Sequence, residues 1–244
     1  MDLKEINNLS LIHEIQHWWI KTRFLYIEKT LQLINKKNLT VLEVGCGSAQ
    51  NLYYLRHISS FKGHIKKVIA FDPNLKDKSR FDWMHTNDMN VSSIESHHLK
   101  NEKIDLILAM DVMEHIQDDK NALLQWSSLL KEGGTILITV PAFMCLWSKK
   151  DELLDHKRRY KKDDLLLLTN QFQLKPFYHS YAFSYLFPII LLIVKLFSKK
   201  SNQSLELKKT NSIINSVLYL MGQVEYYLLP FRPFGTSLIG IFKK

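Results

Sequence analysis

The stretch Thr40-Val-Leu-Glu-Val-Gly-Cys-Gly-Ser-Ala-Gln50 constrains this chain more than any other. Val41, Leu42 and Val44 form a short apolar run rich in β-branched residues, as a strand buried on both faces requires. Gly45 and Gly47 end it. Neither has a Cβ, so the turn can be tight and a ligand can come close to the backbone. Ser48 is placed to cap a helix expected over residues 48–57. Strand, glycine turn and helix in this order open a ligand site in an open α/β sheet.

The residues after the turn exclude two ligand classes. A dinucleotide site wants a third glycine where this chain has Gln50. A phosphate-cradling loop wants Gly-Lys-Ser/Thr, which is absent here. A ligand with a ribose and no phosphates fits the turn.

The rest of the chain alternates strand and helix patterns. Apolar runs at 67–72, 81–86, 103–110 and 135–140 read as strands, with a helix over 118–130 ended by Gly133 and Gly134. Such alternation gives a parallel, doubly wound sheet. Two more strands are expected at 174–182 and 236–242, making seven. A helix over 10–35 precedes the sheet, with Ile12, Ile15, Trp19, Phe24, Ile27 and Leu31 at helical spacing. Trp18 and Trp19 point to different faces of it, either as core packing or with one roofing a ligand pocket. Residues 146–160 read as polar and irregular, and a short helix starts at Asp163 or Asp164. The chain is expected to be one domain over 1–244: a core over 38–182, a helical insert or lid over 183–230, and a last strand over 236–244.

Cysteine and charge bound the setting. Cys46 and Cys145 are the only cysteines, and Cys46 sits inside the glycine turn. No cysteine or histidine spacing suggests a metal site, and a reducing, cytoplasmic compartment is expected. The formal charge is +9, and residues 141–244 carry the whole excess. An anionic partner fits that asymmetry. The apolar segments 186–197 and 213–228 lie among those charges, which favours a phosphorylated substrate or an acidic membrane surface over nucleic acid. Residues 186–197 are too few to span a bilayer, and Pro188 interrupts them. An interfacial helix, a lid over an apolar substrate, or a helical pair packed on the domain are the readings left open.

With these motifs in order, the sequence resembles the class I S-adenosylmethionine-dependent methyltransferases over most of residues 39–140. Glu43-Val-Gly-Cys-Gly47 looks like their acidic-x-Gly-x-Gly motif, and Asp72 like the acid that holds both ribose hydroxyls. Asp88 and Met89 resemble the pair beside the adenine. Ala109-Met-Asp-Val-Met-Glu-His115 resembles the segment lining the methionine end. The resemblance implies a Rossmann-like, mostly parallel seven-stranded sheet with S-adenosylmethionine as cofactor. It places Glu43, Gly45, Cys46, Gly47, Asp72, Pro73, Asp88, Met89, Met110, Asp111 and Val112 on that cofactor.

The ends are similar to a narrower bacterial subgroup that opens on His-Trp-Trp, here His17-Trp18-Trp19. The segment from Val140 to Tyr160 resembles its stretch after the fifth strand, with Lys150 where members often carry His. This implies an acceptor side with Trp19, Trp147, Arg158, Arg159 and Tyr160, and His156, His115 and Asp151 as catalytic candidates. A hydroxyl acceptor benefits from a base, and an imidazole titrates near neutrality. The expected acceptor is small, apolar, lipid-linked or from a glycan pathway, methylated on oxygen. Rival readings are a quinone-pathway O-methyltransferase and a cofactor-binding protein without turnover.

Overall fold

The computed structural model describes residues 11–73, 102–197, 211–229 and 232–244. The elements in chain order are α1 (Leu11–Gln16), α2 (Trp18–Ile34), β1 (Leu39–Val44), α3 (Gln50–Tyr53), β2 (Ile65–Phe71), β3 (Ile104–Met110), α4 (Asp119–Leu129) and β4 (Leu130–Pro141). The second half adds α5 (Lys149–Leu153), α6 (Lys162–Asn170), β5 (Lys175–Ala182), α7 (Phe187–Phe197), α8 (Ser212–Leu228) and β6 (Ser237–Lys243). The strands form one sheet in the order β2-β1-β3-β4-β6-β5. Its first four strands are parallel, and β6 runs antiparallel to both β4 and β5. Six of the seven expected strands are present. The expected strand over 81–86, with Asp88 and Met89, lies outside the described residues.

Both faces of the sheet are buried, as the apolar runs require. Val41, Leu106, Leu108 and Ile239 face α2 and α3, against Ile20, Phe24, Ile27 and Leu52. Leu42, Ile107, Ile138 and Leu238 face α4 and α6, against Leu123, Trp126, Leu165 and Leu168.

Several local expectations are corrected. The helix over 10–35 breaks at His17, whose backbone is extended (φ −64°, ψ 134°). Its Nδ1 accepts from the Trp19 N–H at 3.3 Å and caps α2. Burial, reinforced by Lys150, lowers the His17 pKa to about 4 and keeps that nitrogen an acceptor. Across the break, Asn215 of α8 accepts from Trp18 N–H at 2.8 Å and donates to the Gln16 carbonyl at 3.0 Å. Trp18 and Trp19 are not on separate faces: both meet the ring of Phe183 edge-on, at 5.8 and 6.1 Å.

The helix over 48–57 starts later and widens into a π turn at Tyr54–Ile58. Ser48 does not cap it. Its hydroxyl donates to Glu14 of α1 at 2.6 Å. Residues 146–160 are also more ordered than their composition predicts, because the Asp151 carboxylate accepts from Ser148 N–H at 2.8 Å and starts α5.

The insert is docked rather than detached. Gly222 of α8 meets Thr22 of α2 so closely that a Cβ would lie 2.6 Å from the Thr22 hydroxyl. Glu225 is buried and accepts from the N–H groups of Phe183 and Ser184, both at 2.6 Å. Yet the outward faces stay apolar: Ile189, Leu192 and Leu196 on α7, and Ile213, Leu220 and Leu228 on α8, are more than half exposed. No helix among the described residues is long and apolar enough to cross a membrane.

Candidate active site

The carboxyl ends of the parallel strands converge on the glycine turn. Gly45 and Gly47 both adopt positive φ (65° and 52°), which glycine alone takes without strain. The N–H groups of Gly45 and Cys46 donate to the Phe71 carbonyl, at 2.7 and 3.2 Å. Gly47 N–H donates to the Asp72 carboxylate at 3.0 Å, which fixes that acid at the end of β2. A Cβ on Gly45 would fall 2.5 Å from a methyl of Val112, so the segment after β3 closes directly over the turn. Glu43 points into this region from β1, fully buried, with one oxygen accepting from the Asn51 side chain at 2.6 Å.

The end of β3 carries a second set of groups. Asp111 has φ 55°, a strained value for a side chain that bears a Cβ. Its carboxylate accepts from the Thr139 hydroxyl at 2.9 Å and pairs with Arg23 at 3.1 Å. Burial opposes the Asp111 charge, but Arg23 prevails and the pKa is lowered. Arg23 is itself 2 % exposed, an arginine inside the apolar stripe of α2. Glu114, in the single turn after Asp111, is also buried.

The segment after β4 completes the edge. Residue Tyr160 returns to the strand end through Tyr160 N–H to Pro141 and Phe143 N–H to Tyr160. Asp151 sits at the centre of this loop, 1 % exposed. His156 Nδ1 lies 2.9 Å from one Asp151 oxygen. Arg159 grips the same carboxylate with two bonds, at 2.8 and 3.0 Å. Burial opposes ionisation of Asp151, yet the bonds from His156 and Arg159 bring its pKa to about 2. The His156 ring meets that of His115 at 4.7 Å, nearly perpendicular.

Comparison with known proteins gives this arrangement a family. A profile described as a methyltransferase domain matches residues 18–184. The chain belongs to the class I S-adenosylmethionine-dependent methyltransferases. A curated relative, the mitochondrial ubiquinone biosynthesis O-methyltransferase of Candida albicans, is 27 % identical over 124 residues. That match covers 44 % of this chain but only 34 % of the relative. Among solved structures, a Bacillus halodurans C-125 protein assigned as a methyltransferase superposes with a TM-score of 0.55 at 16 % identity, covering 88 % of this chain and 97 % of that one. The N-methyltransferase NodS of Bradyrhizobium japonicum WM9, solved with S-adenosyl-L-homocysteine, gives 0.51 at 13 % identity, covering 89 % and 86 %.

In this methyltransferase the sequence-predicted residues divide into two groups. Glu43, Gly45, Cys46, Gly47, Asp72, Met110, Asp111 and Val112 gather around the turn and the end of β3, with Pro73 exposed beside them. His115, Asp151 and His156 meet at the neighbouring edge. Arg158, Arg159 and Tyr160 take internal partners instead of presenting free groups to an acceptor. Arg158 donates to Asp119 and to the Gln117 carbonyl, and the buried Tyr160 hydroxyl donates to Asp119 at 2.8 Å. Trp147 stands half-buried in the loop, and Trp19 lies under the Arg23 guanidinium at 5.9 Å. Sequence reasoning gave no role to Arg23 or Glu114. The signal for Arg23 was present, since it falls between Ile20 and Ile27 on the apolar face of a helix.

Proposed function

We propose that this methyltransferase methylates an oxygen of a small apolar or lipid-linked acceptor, with His156 taking the acceptor's proton. The Asp151–His156 pair carries this reading. Asp151 is ionised at neutral pH and can only accept hydrogen bonds. Nδ1 of His156 therefore holds the proton, and Nε2 presents a lone pair. Arg159 and Ser148 keep the carboxylate in place, so the imidazole is aimed before any acceptor arrives.

The cofactor is assigned to Glu43, Gly45, Cys46, Gly47, Asp72, Pro73, Met110, Asp111 and Val112. Bound S-adenosylmethionine supplies a methyl group on a positively charged sulfur. Three buried acceptors at the turn fit its cationic end: one oxygen each of Glu43, Gln50 and Asn51 has no hydrogen-bond partner among the described residues. Buried acceptors are costly when left unpaired, so an arrangement of three is what a donor-rich ligand would satisfy. Asp72, steadied by Gly47, is assigned to the ribose hydroxyls. As the acceptor oxygen approaches the methyl in line, its proton passes to Nε2 of His156, and Asp151 stabilises the resulting imidazolium.

His156→Ala should lower turnover at least about a hundredfold, the usual worth of a positioned base. Cofactor affinity by calorimetry should stay within twofold or so, because His156 is outside the turn. Labelled methyl transfer into a membrane-lipid extract reads the first quantity. Unchanged turnover, or a loss confined to cofactor binding, would overturn the assignment. The similarity to the Candida albicans protein favours a second acceptor class, ubiquinone-pathway phenols, which the same assay covers in a parallel extract.

The apolar character of the acceptor is supported by α7 and α8. Phe187 of α7 meets Phe143 beside the post-β4 loop at 5.5 Å, so the exposed apolar face begins at the site. Lys195 stands on α7, and the sequence between the helices contains Lys199, Lys200, Lys208 and Lys209. Apolar faces flanked by lysines suit an anionic bilayer surface, where each basic residue adds about 1 kcal/mol. The methyltransferase should bind anionic liposomes in low salt, bind neutral ones much less, and lose binding when those four lysines become Gln. A folded sample that fails to sediment with anionic liposomes would leave the two helices as a lid.

A further inference from the structure

The geometry points to a divalent transition-metal site made by Glu114, His115 and His156. Each residue offers one ligand atom, and these atoms lie within 4.8 Å of one another. The grouping is neither acidic surface clutter nor a lone pair of histidines. Glu114 is 1 % exposed, and its Oε2 has no hydrogen-bond partner among the described residues. A buried carboxyl oxygen without a partner is costly, and a bound cation would supply one. The nearby Arg23 guanidinium pairs with Asp111 and makes no hydrogen bond to Glu114.

The backbone holds the three residues together. Lys157 N–H donates to the Glu114 carbonyl at 2.6 Å, so the residue after His156 is tied to the residue before His115. His156 N–H in turn donates to the Asp151 carbonyl at 2.9 Å. The Asp151 carboxylate then does what a carboxylate behind a metal-bound histidine does. It fixes the tautomer, turns the ring, and leaves Nε2 as the ligand atom.

Two imidazoles and one carboxylate select a borderline ion such as Zn²⁺ over Mg²⁺ or Ca²⁺, which prefer oxygen ligands. Bonds of about 2.0–2.1 Å put tetrahedral ligand atoms roughly 3.3 Å apart. Three protein ligands leave an open position, as in catalytic rather than structural sites. The site itself does not depend on the acceptor. Its use rests on the acceptor lying at this edge and is an alternative to the proton transfer to His156: an ion there would hold the acceptor's oxygen and its proton would leave to water, because Nε2 of His156 cannot be ligand and base at once.

The test uses the full-length chain stripped with a chelator, titrated with Zn²⁺ by calorimetry and with Co²⁺ by visible absorption. One equivalent should bind, and Co²⁺ should show the intense d–d bands of four- or five-fold coordination. Glu114→Gln and His156→Ala should each weaken binding at least about tenfold. Glu114→Gln keeps the side-chain shape, and an undiminished urea midpoint confirms that its loss is not unfolding. The absence of a one-equivalent step, or equal affinity in both variants, would assign any signal to other histidines or to the exposed Cys145 and overturn the site. If no ion binds while His156→Ala still abolishes turnover, the metal inference fails and the proton-acceptor role stands.

Discussion

Asp151→Ala should cost the fold about 3–5 kcal/mol and remove turnover, because it strips one partner from a buried charge network. Asp151 is held among Arg159, His156 and Ser148. Its loss leaves the Arg159 guanidinium, itself only 13 % exposed, with the Ala142 carbonyl alone. It also removes the acceptor that starts α5 and releases the His156 ring. Urea unfolding reads the first effect. Nitrogen chemical shifts of His156 read the last: the Nδ1–H tautomer should dominate in the parent chain and be lost in the variant. Asp151→Asn separates the contributions, since an amide oxygen can still accept from Ser148 N–H while the charge facing Arg159 is gone. A variant with parental stability and a rigid Nδ1–H tautomer would show that the network does not hold this edge.

Glu43→Gln should act in the opposite direction on stability. Burial raises the Glu43 pKa to about 7, against the favourable bond from Asn51. The unfolded chain releases this proton near the ordinary glutamate value of about 4.3. Between those values the native state holds the extra proton. Stability is therefore greatest below the unfolded value, falls as pH rises toward 7, and levels off above it. At roughly 1.4 kcal/mol per pKa unit the fall is about 4 kcal/mol. The neutral amide keeps the acceptor for Asn51 and should regain about 2 kcal/mol of that at pH 8, less the cost of a new unpaired N–H. Cofactor affinity should drop tenfold or more, because a cation has lost its counter-charge. Urea midpoints between pH 5 and 8, with calorimetry of cofactor binding, measure both. A flat parental profile would show that Glu43 does not carry this burden.

The sheet was legible because each buried parallel strand spells itself in apolar residues: 67–72 and 103–110 emerged within two residues of their observed ends, while β4 starts at Leu130, five residues before the expected 135, and runs through Gly133 and Gly134. What local reading missed was long-range polar pairing. The Ser48 hydroxyl looks like a cap until Glu14, 34 residues upstream, takes it. Nothing near His17 announces a break that Asn215 completes from 197 residues away. Arg158, Arg159 and Tyr160 read as acceptor-side groups, and in the structure Asp119 and Asp151 pair with them. Charge counts along a sequence register how many ions there are, not which of them meet. The internal partners of Arg158, Arg159 and Tyr160 could not be read locally for that reason.

The Asn215 bridge also has a consequence in time. It joins residues 197 and 199 positions apart, and the contact of Gly222 with Thr22 is as distant in sequence. Contacts of such separation carry the largest loop-closure cost and form slowly. During synthesis, α2 emerges long before α8 exists, and the parallel sheet can assemble while the α2 surface awaits its partner. The face of α2 that receives Asn215 and Gly222 is therefore closed last, over a sheet whose own strands lie close together in the chain.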